Sequence, residues 1–107
     1  MRVITLRPGE TPKYNEIPSH RDILQALKHF CKGYIETVEI KDGILAIVNE
    51  EGRLLGMDIA CVVPSIRQSL CGPVVFCRHD DCEFAPIRDG DLEIVNKAIV
   101  LPGGDWF

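Results

Sequence analysis

The chain has 107 residues, 46% hydrophobic and 26% charged, which suffices for one independent core and is too apolar for a disordered chain. Twelve Lys and Arg against sixteen Asp and Glu give a formal charge of −4, with the cations scattered singly; this argues against a nucleic-acid partner, which needs a clustered basic face. No apolar run approaches the roughly 20 residues of a membrane span, and the N-terminus lacks the apolar segment of a signal peptide, so a cytoplasmic protein away from membranes is expected. Five cysteines, an odd count without an export signal, favour reduced thiols over a disulfide framework.

Arg2–Arg7 alternates as a strand with one buried face does. Pro8-Gly9-Glu10-Thr11-Pro12 is a turn cluster, and Lys13–Ile17 a second strand completing a hairpin. Pro18 directs the chain into a helix, with Ser19-His20-Arg21-Asp22 as a capping box whose N-cap is Ser19. Ile23, Leu24, Leu27, Phe30 and Cys31 form its apolar stripe, and Gly33 closes it as C′, with Lys28, His29 and Lys32 near the negative end.

Tyr34–Ile40 and Ile44–Val48 then read as a hairpin, Asp42-Gly43 supplying the two positive φ angles of a type I′ turn. That register pairs Ile40 with Leu45, Val38 with Ile47 and Thr37 with Val48. Val38, Ile40, Leu45 and Ile47 would share the face that seats the helix, and Ala46 and Val48 imply a strand buried on both sides. Glu50-Glu51-Gly52 is a turn and Arg53-Leu54-Leu55-Gly56 a short continuation. Residues 57–71 read as a crossing loop, in which 58–63 is strand or short helix, Pro64 a break and 65–70 one helical turn.

Val74–Cys77 is strand, Arg78–Asp81 a turn and Cys82–Ala85 a return strand. Asp89 caps a last helix with Leu92, Val95, Ala98 and Ile99 as its stripe. Residues 100–107 are a tail ending in Trp106-Phe107. The pattern predicts a single α+β domain over 1–107: a mostly antiparallel or mixed sheet of five to six strands built from hairpins, with two helices packed against it.

Met1–Gly9, Leu24-Gln25-Ala26-Leu27, Gly33–Val38, Asp42-Gly43 and Asn49–Gly56 carry a likeness to a known family. Residues 1–56 resemble small domains of unknown function found in phages, plasmids and integrative elements, mostly of Gram-positive bacteria; the likeness resumes loosely at Gly72–Phe76 and the last helix. It implies an accessory protein of a mobile genetic element and brings no catalytic residue with it. The hairpin between Cys77 and Cys82 is not part of the shared pattern.

Among groups that could carry chemistry, Cys77, His79 and Cys82 offer two thiols and an imidazole within six residues. They could be three zinc ligands, with Cys71 or Cys61 as the fourth. Against this stands the absence of a second ligand pair; the plain alternative is a turn whose flanking cysteines face each other across two strands. A cysteine nucleophile with a histidine base is a further alternative, His20 in the first helical turn being favoured as neutral. No recognised nucleophile motif surrounds any cysteine, and Cys31 fits the core stripe. Glu50-Glu51 and Asp80-Asp81 fall in turns that solvate them, and Gly103-Gly104 lacks the strand and helix of a phosphate loop.

Trp106 and Phe107 should not remain in water: they fold back on the domain or dock on a partner, a second copy in a homodimer included. With no acid, base, nucleophile or metal set assembled, the expected function is a non-catalytic interaction or ligand-binding accessory protein. Its partner would be a host or self protein or a small ligand, and no cofactor is expected other than zinc. The alternatives are a zinc module centred on Cys77–Cys82 and a cysteine-dependent enzyme or small-ligand-sequestering protein.

Overall fold

The computed structural model describes residues 1–18, 22–81 and 83–102. β1 (Arg2–Leu6) and β2 (Lys13–Glu16) form the first hairpin, with Val3 opposite Asn15 and Ile4 opposite Tyr14. α1 (Ile23–Cys31) leads into the hairpin of β3 (Ile35–Lys41) and β4 (Ile44–Asn49). A third hairpin follows, β5 (Ile59–Val63) with β6 (Gln68–Cys71), then β7 (Val74–Asp80), β8 (Glu83–Ala85) and α2 (Asp91–Ala98). The main sheet runs β2-β1-β7-β4-β3 with β8 also on β7; every pairing is antiparallel, and β5 and β6 form a separate small sheet. The fold is α+β, as the hairpin and helix patterns predict.

The central strands are buried on both faces, which is why Ile44–Val48 and Val74–Cys77 read as nearly unbroken apolar runs. Val3, Ile47, Val75 and Cys77 point to one face, where Leu27 and Cys31 of α1 cover them. Ile4, Leu6, Ile44, Ala46, Val74 and Phe76 point to the other, against Val63 and Leu70 of the small sheet and Val95 of α2. Each fully buried side chain of this size contributes about 1.5–3 kcal/mol, so the layers on both faces are held chiefly by hydrophobic burial.

Several local expectations change. Asp42 and Gly43 have φ of +50° and +80°, as a type I′ turn requires, and Lys41 pairs with Ile44. The register then shifts between Glu39 and Lys41, so Glu39 faces Leu45 and Val38 faces Ala46 instead of Ile47. The extra residue, Ile40, turns to the α2 side with Ile44, away from Ile47 under α1; one inserted residue exchanges the faces beyond it. Residues 57–71 are not a crossing loop but the β5–β6 hairpin, joined by a 3₁₀ turn at Pro64–Ile66 and by Arg67 at φ +54°.

β7 runs on to Asp80, which pairs with Glu83, so the turn expected at Arg78–Asp81 is strand for most of its length. Ser19–Arg21 lie outside the described residues; the N-cap position of α1 is Asp22, whose side chain makes no capping hydrogen bond. Leu24, at the margin of the stripe, stays 43% exposed.

At the start of α2 no side chain caps the helix, so Asp89 does not take the capping role expected of it. Gly90 is the N-cap residue at φ +88°, and Asp91 accepts a hydrogen bond from the Arg88 N–H at 2.9 Å. Asp89 pairs instead with Arg2 at 2.6 Å. Asp91, 3% exposed, is gripped by Arg78 of β7: Nε donates to Oδ2 at 2.7 Å and Nη2 to Oδ1 at 2.8 Å. The same guanidinium donates to the Asp42 carbonyl at 2.8 Å, tying α2, β7 and the β3–β4 turn together. The described helices include none long and apolar enough to cross a membrane.

Candidate functional site

A cleft of about 640 Å³ opens where the C-terminal end of α1 meets the β1–β2 loop, the turn at residues 50–57 and the link from β6 to β7. Arg7, Phe30, Lys32, Leu55, Met57 and Pro73 are among the residues that line it. That volume lies within the range of small-ligand sites, about 300–1,000 Å³.

Asn49 at the end of β4 lies outside the lining and fixes the end of α1 that borders the cleft. Its Nδ2 donates to the carbonyls of Cys31 at 3.0 Å and Lys32 at 3.2 Å, satisfying acceptors that the end of a helix leaves open. Its Oδ1 accepts from the Glu51 N–H at 2.7 Å, so one amide joins α1 to the next turn. Lys32 takes the left-handed conformation, φ +66°, that was expected of Gly33. Gly33 is needed both for its φ of +158° and for space: a Cβ there would stand 2.9 Å from Asn49 Nδ2. This end of α1 presents Phe30 and Lys32 to the cleft, and the Arg7 guanidinium lies over the Phe30 ring at 4.7 Å from its centroid.

The opposite wall is a tightly bonded turn. Gly52 N–H donates to Asn49 O at 3.1 Å, Leu55 N–H to Glu51 O at 2.9 Å, and Met57 N–H to Gly52 O at 3.0 Å. Met57 packs on Gly72, where a Cβ would come within 2.5 Å of the Met57 sulfur. This framework holds Leu54 and Leu55 outward, 85% and 60% exposed. Single exposed leucines are ordinary, but an adjacent pair on a bonded turn beside a cleft marks an apolar rim. The cations Arg7 and Lys32 and the acids Glu10 and Asp58 make the lining mixed in charge.

The residues singled out from sequence lie elsewhere. Cys77 is fully buried under α1, and burial pushes its thiol up to about 12. His79 sits two residues on along β7, with its Nε2 3.5 Å from Glu39, beside a shallow hollow shared with Thr37, Asp81 and Phe84. Cys82, Trp106 and Phe107 lie outside the described residues, as does His20. Among the described residues, no three His, Cys, Asp or Glu side chains gather as a metal site would require. Burial also pushes Cys31 and Cys61 up to about 12, so these thiols stay protonated at neutral pH and lack the thiolate of a nucleophile.

Sequence reasoning missed Arg7, Phe30, Lys32, Met57 and Pro73 as neighbours because they come from separate stretches. The one local signal was Leu54-Leu55, an apolar doublet inside a turn. No curated protein and no solved structure matches this chain. The family model for a domain of unknown function, DUF3846, matches residues 1–99, and the chain belongs to that family.

Proposed function

We propose that this chain is a non-catalytic binding protein whose cleft takes a carboxylate joined to an aromatic group. The observation that carries the reading is the pairing of Arg7, stacked on Phe30, with the exposed Leu55 across one cleft. A stacked guanidinium is held in place through its face and keeps N–H donors at its edge, where a carboxylate is accepted as a fork. Phe30, Met57, Leu55 and Pro73 offer apolar surface to the ring. A cytoplasmic, accessory role in a mobile genetic element belongs to the same proposal and rests on the resemblance of residues 1–56.

Indole-3-acetate is a suitable probe. At about 0.3 kcal/mol per non-hydrogen atom, such a ligand binds with roughly 4 kcal/mol, a Kd near 1 mM. Titration followed by side-chain NMR, using a form ending at Pro102 that keeps every described element, should move the resonances of Phe30, Leu55 and Met57. Arg7→Ala should weaken binding about tenfold. Shifts confined to Leu45 and Phe84 beside His79, or none at saturating probe, would reject the cleft.

A further inference from the structure

We infer that the ligand of this cleft is a free aromatic α-amino acid, held as its zwitterion by Arg7 and Glu10 of a single turn. The inference rests on the cleft being a binding site and adds to it a residue that receives an ammonium group. Arg7, Pro8, Gly9 and Glu10 form a β-turn closed by the Glu10 N–H, which donates to the Arg7 carbonyl at 3.0 Å. Pro8 fixes φ at the second position, and Gly9 takes the third at φ +84°, the combination of a type II turn. Such a turn holds its first and last Cα atoms within about 7 Å, so Arg7 and Glu10 border the cleft close together, one of each sign.

These two charges do not neutralise each other. The Arg7 guanidinium lies over the Phe30 ring instead, and among the described residues neither Arg7 nor Glu10 joins an ion pair. Both side chains are exposed, so the turn offers the cleft a cation and an anion at once. A zwitterion meets both: its α-carboxylate accepts from the edge of the stacked guanidinium, and its α-ammonium donates to the Glu10 carboxylate. The two groups hang from one carbon, as partners held by one turn require. A peptide terminus carries only one of them, the other being an amide, so the free amino acid is the class that fits. Its ring then meets Met57, Leu55 and Pro73. Asp58, the other acid of the lining, comes from a separate segment fixed by its carbonyl, which accepts from Gly72 N–H at 2.8 Å. No turn sets its spacing from Arg7, and it serves as the control.

A ligand series on the full chain, followed by the side-chain resonances of Phe30, Leu55 and Met57, tests this without any substitution. L-Tryptophan should bind about fivefold more tightly than indole-3-propionate, which differs only in lacking the ammonium group, the effect of one exposed ion pair. It should bind about tenfold more tightly than tryptamine, which lacks the carboxylate. Glu10→Gln, at an exposed turn position, should bring L-tryptophan to the level of indole-3-propionate, leave indole-3-propionate unchanged and keep the circular-dichroism melting curve in place. Asp58→Asn should change L-tryptophan binding by less than about twofold.

Equal binding of L-tryptophan and indole-3-propionate overturns the inference and leaves the cleft standing as a carboxylate site. Tighter binding of tryptamine than of L-tryptophan overturns it in favour of a cation site. An L-tryptophan preference that survives Glu10→Gln, or that Asp58→Asn abolishes, overturns the role of the turn. Equal loss of L-tryptophan and indole-3-propionate in Glu10→Gln does the same, since the ammonium group is then not what Glu10 meets. No binding by any of the three, together with none by indole-3-acetate, rejects the cleft itself.

Discussion

Each helix is fastened to the sheet at one end by a buried polar side chain, and the two fastenings differ in charge. At the C-terminal end of α1, the neutral amide of Asn49 donates to two helix carbonyls and accepts one N–H. At the N-terminal end of α2, the ionised Asp91 accepts two hydrogen bonds from Arg78 and one from the Arg88 N–H. The first satisfies acceptors that a helix end leaves open, whereas the second ties α2 to β7 through charge. Asn49 carries no titrating group, whereas the Arg78 hydrogen bonds hold the Asp91 carboxyl below the usual carboxylate range. The negative charge is also well placed at the positive end of a helix dipole.

The ion pair should give the largest effect when broken. Asp91→Ala leaves the Arg78 side chain, only 15% exposed, without its partner, and a loss of about 3 kcal/mol is expected from urea unfolding. The pH dependence has a definite sign. A carboxyl with a lowered folded pKa contributes stability that is complete above its unfolded pKa, near 4, and that disappears as pH falls through the folded value. The stability difference between the unmodified chain and Asp91→Asn should therefore hold steady from pH 7 to about 5 and shrink below about pH 4. A difference that stays constant down to pH 2 would show that the pair acts through shape alone.

Asn49 is the next test. Asn49→Ala should cost about 2 kcal/mol, one buried and one part-buried carbonyl losing a donor, with no dependence on pH between 3 and 8. Asn49→Asp should be worse at neutral pH, because its charge would face those carbonyls at the negative end of α1, and it should recover in acid as the carboxyl protonates. The crowding at Gly33 sharpens this. Gly33→Ala should cost about 2 kcal/mol alone and about 1 kcal/mol in the Asn49→Ala background, the remainder being strain at φ +158°, a coupling that a double-mutant cycle measures. Additive losses would mean that the close approach of Gly33 to Asn49 does not constrain the helix end.

These two anchors also show what the residues disclosed and what they concealed. Strands and turns governed by local chemistry were legible: Arg2–Arg7 as a strand, although both of its faces are buried and not the one that alternation implied, and Asp42-Gly43 by its need for positive φ. The bulge at Ile40 was not, because its orientation is decided by apolar neighbours on β4 and α2 far along the chain. The β5–β6 hairpin was hidden by its turn, where Pro64 opens a 3₁₀ segment and an arginine occupies the left-handed position that glycine or asparagine usually advertises. The role of Asp91 was hidden because its partner Arg78 lies on β7, thirteen residues earlier. The cleft was the least legible feature, since four separate segments meet there and only Leu54-Leu55 left a trace in one of them.

The smallest expected effect separates architecture from binding. Lys32 occupies a left-handed position that suits glycine, and its side chain borders the cleft. Lys32→Gly should therefore raise stability by about 0.5 kcal/mol, since glycine accepts this conformation without strain from a Cβ. If Lys32 is one of the cations that meets a carboxylate, the same substitution should weaken indole-3-acetate binding to the form ending at Pro102 by about threefold, as expected for one exposed charge. A gain in stability with binding unchanged would leave Arg7 as the cation that matters. Loss of both would mean that the lysine stem packs on the wall of the cleft and that its strained backbone is offset by that contact.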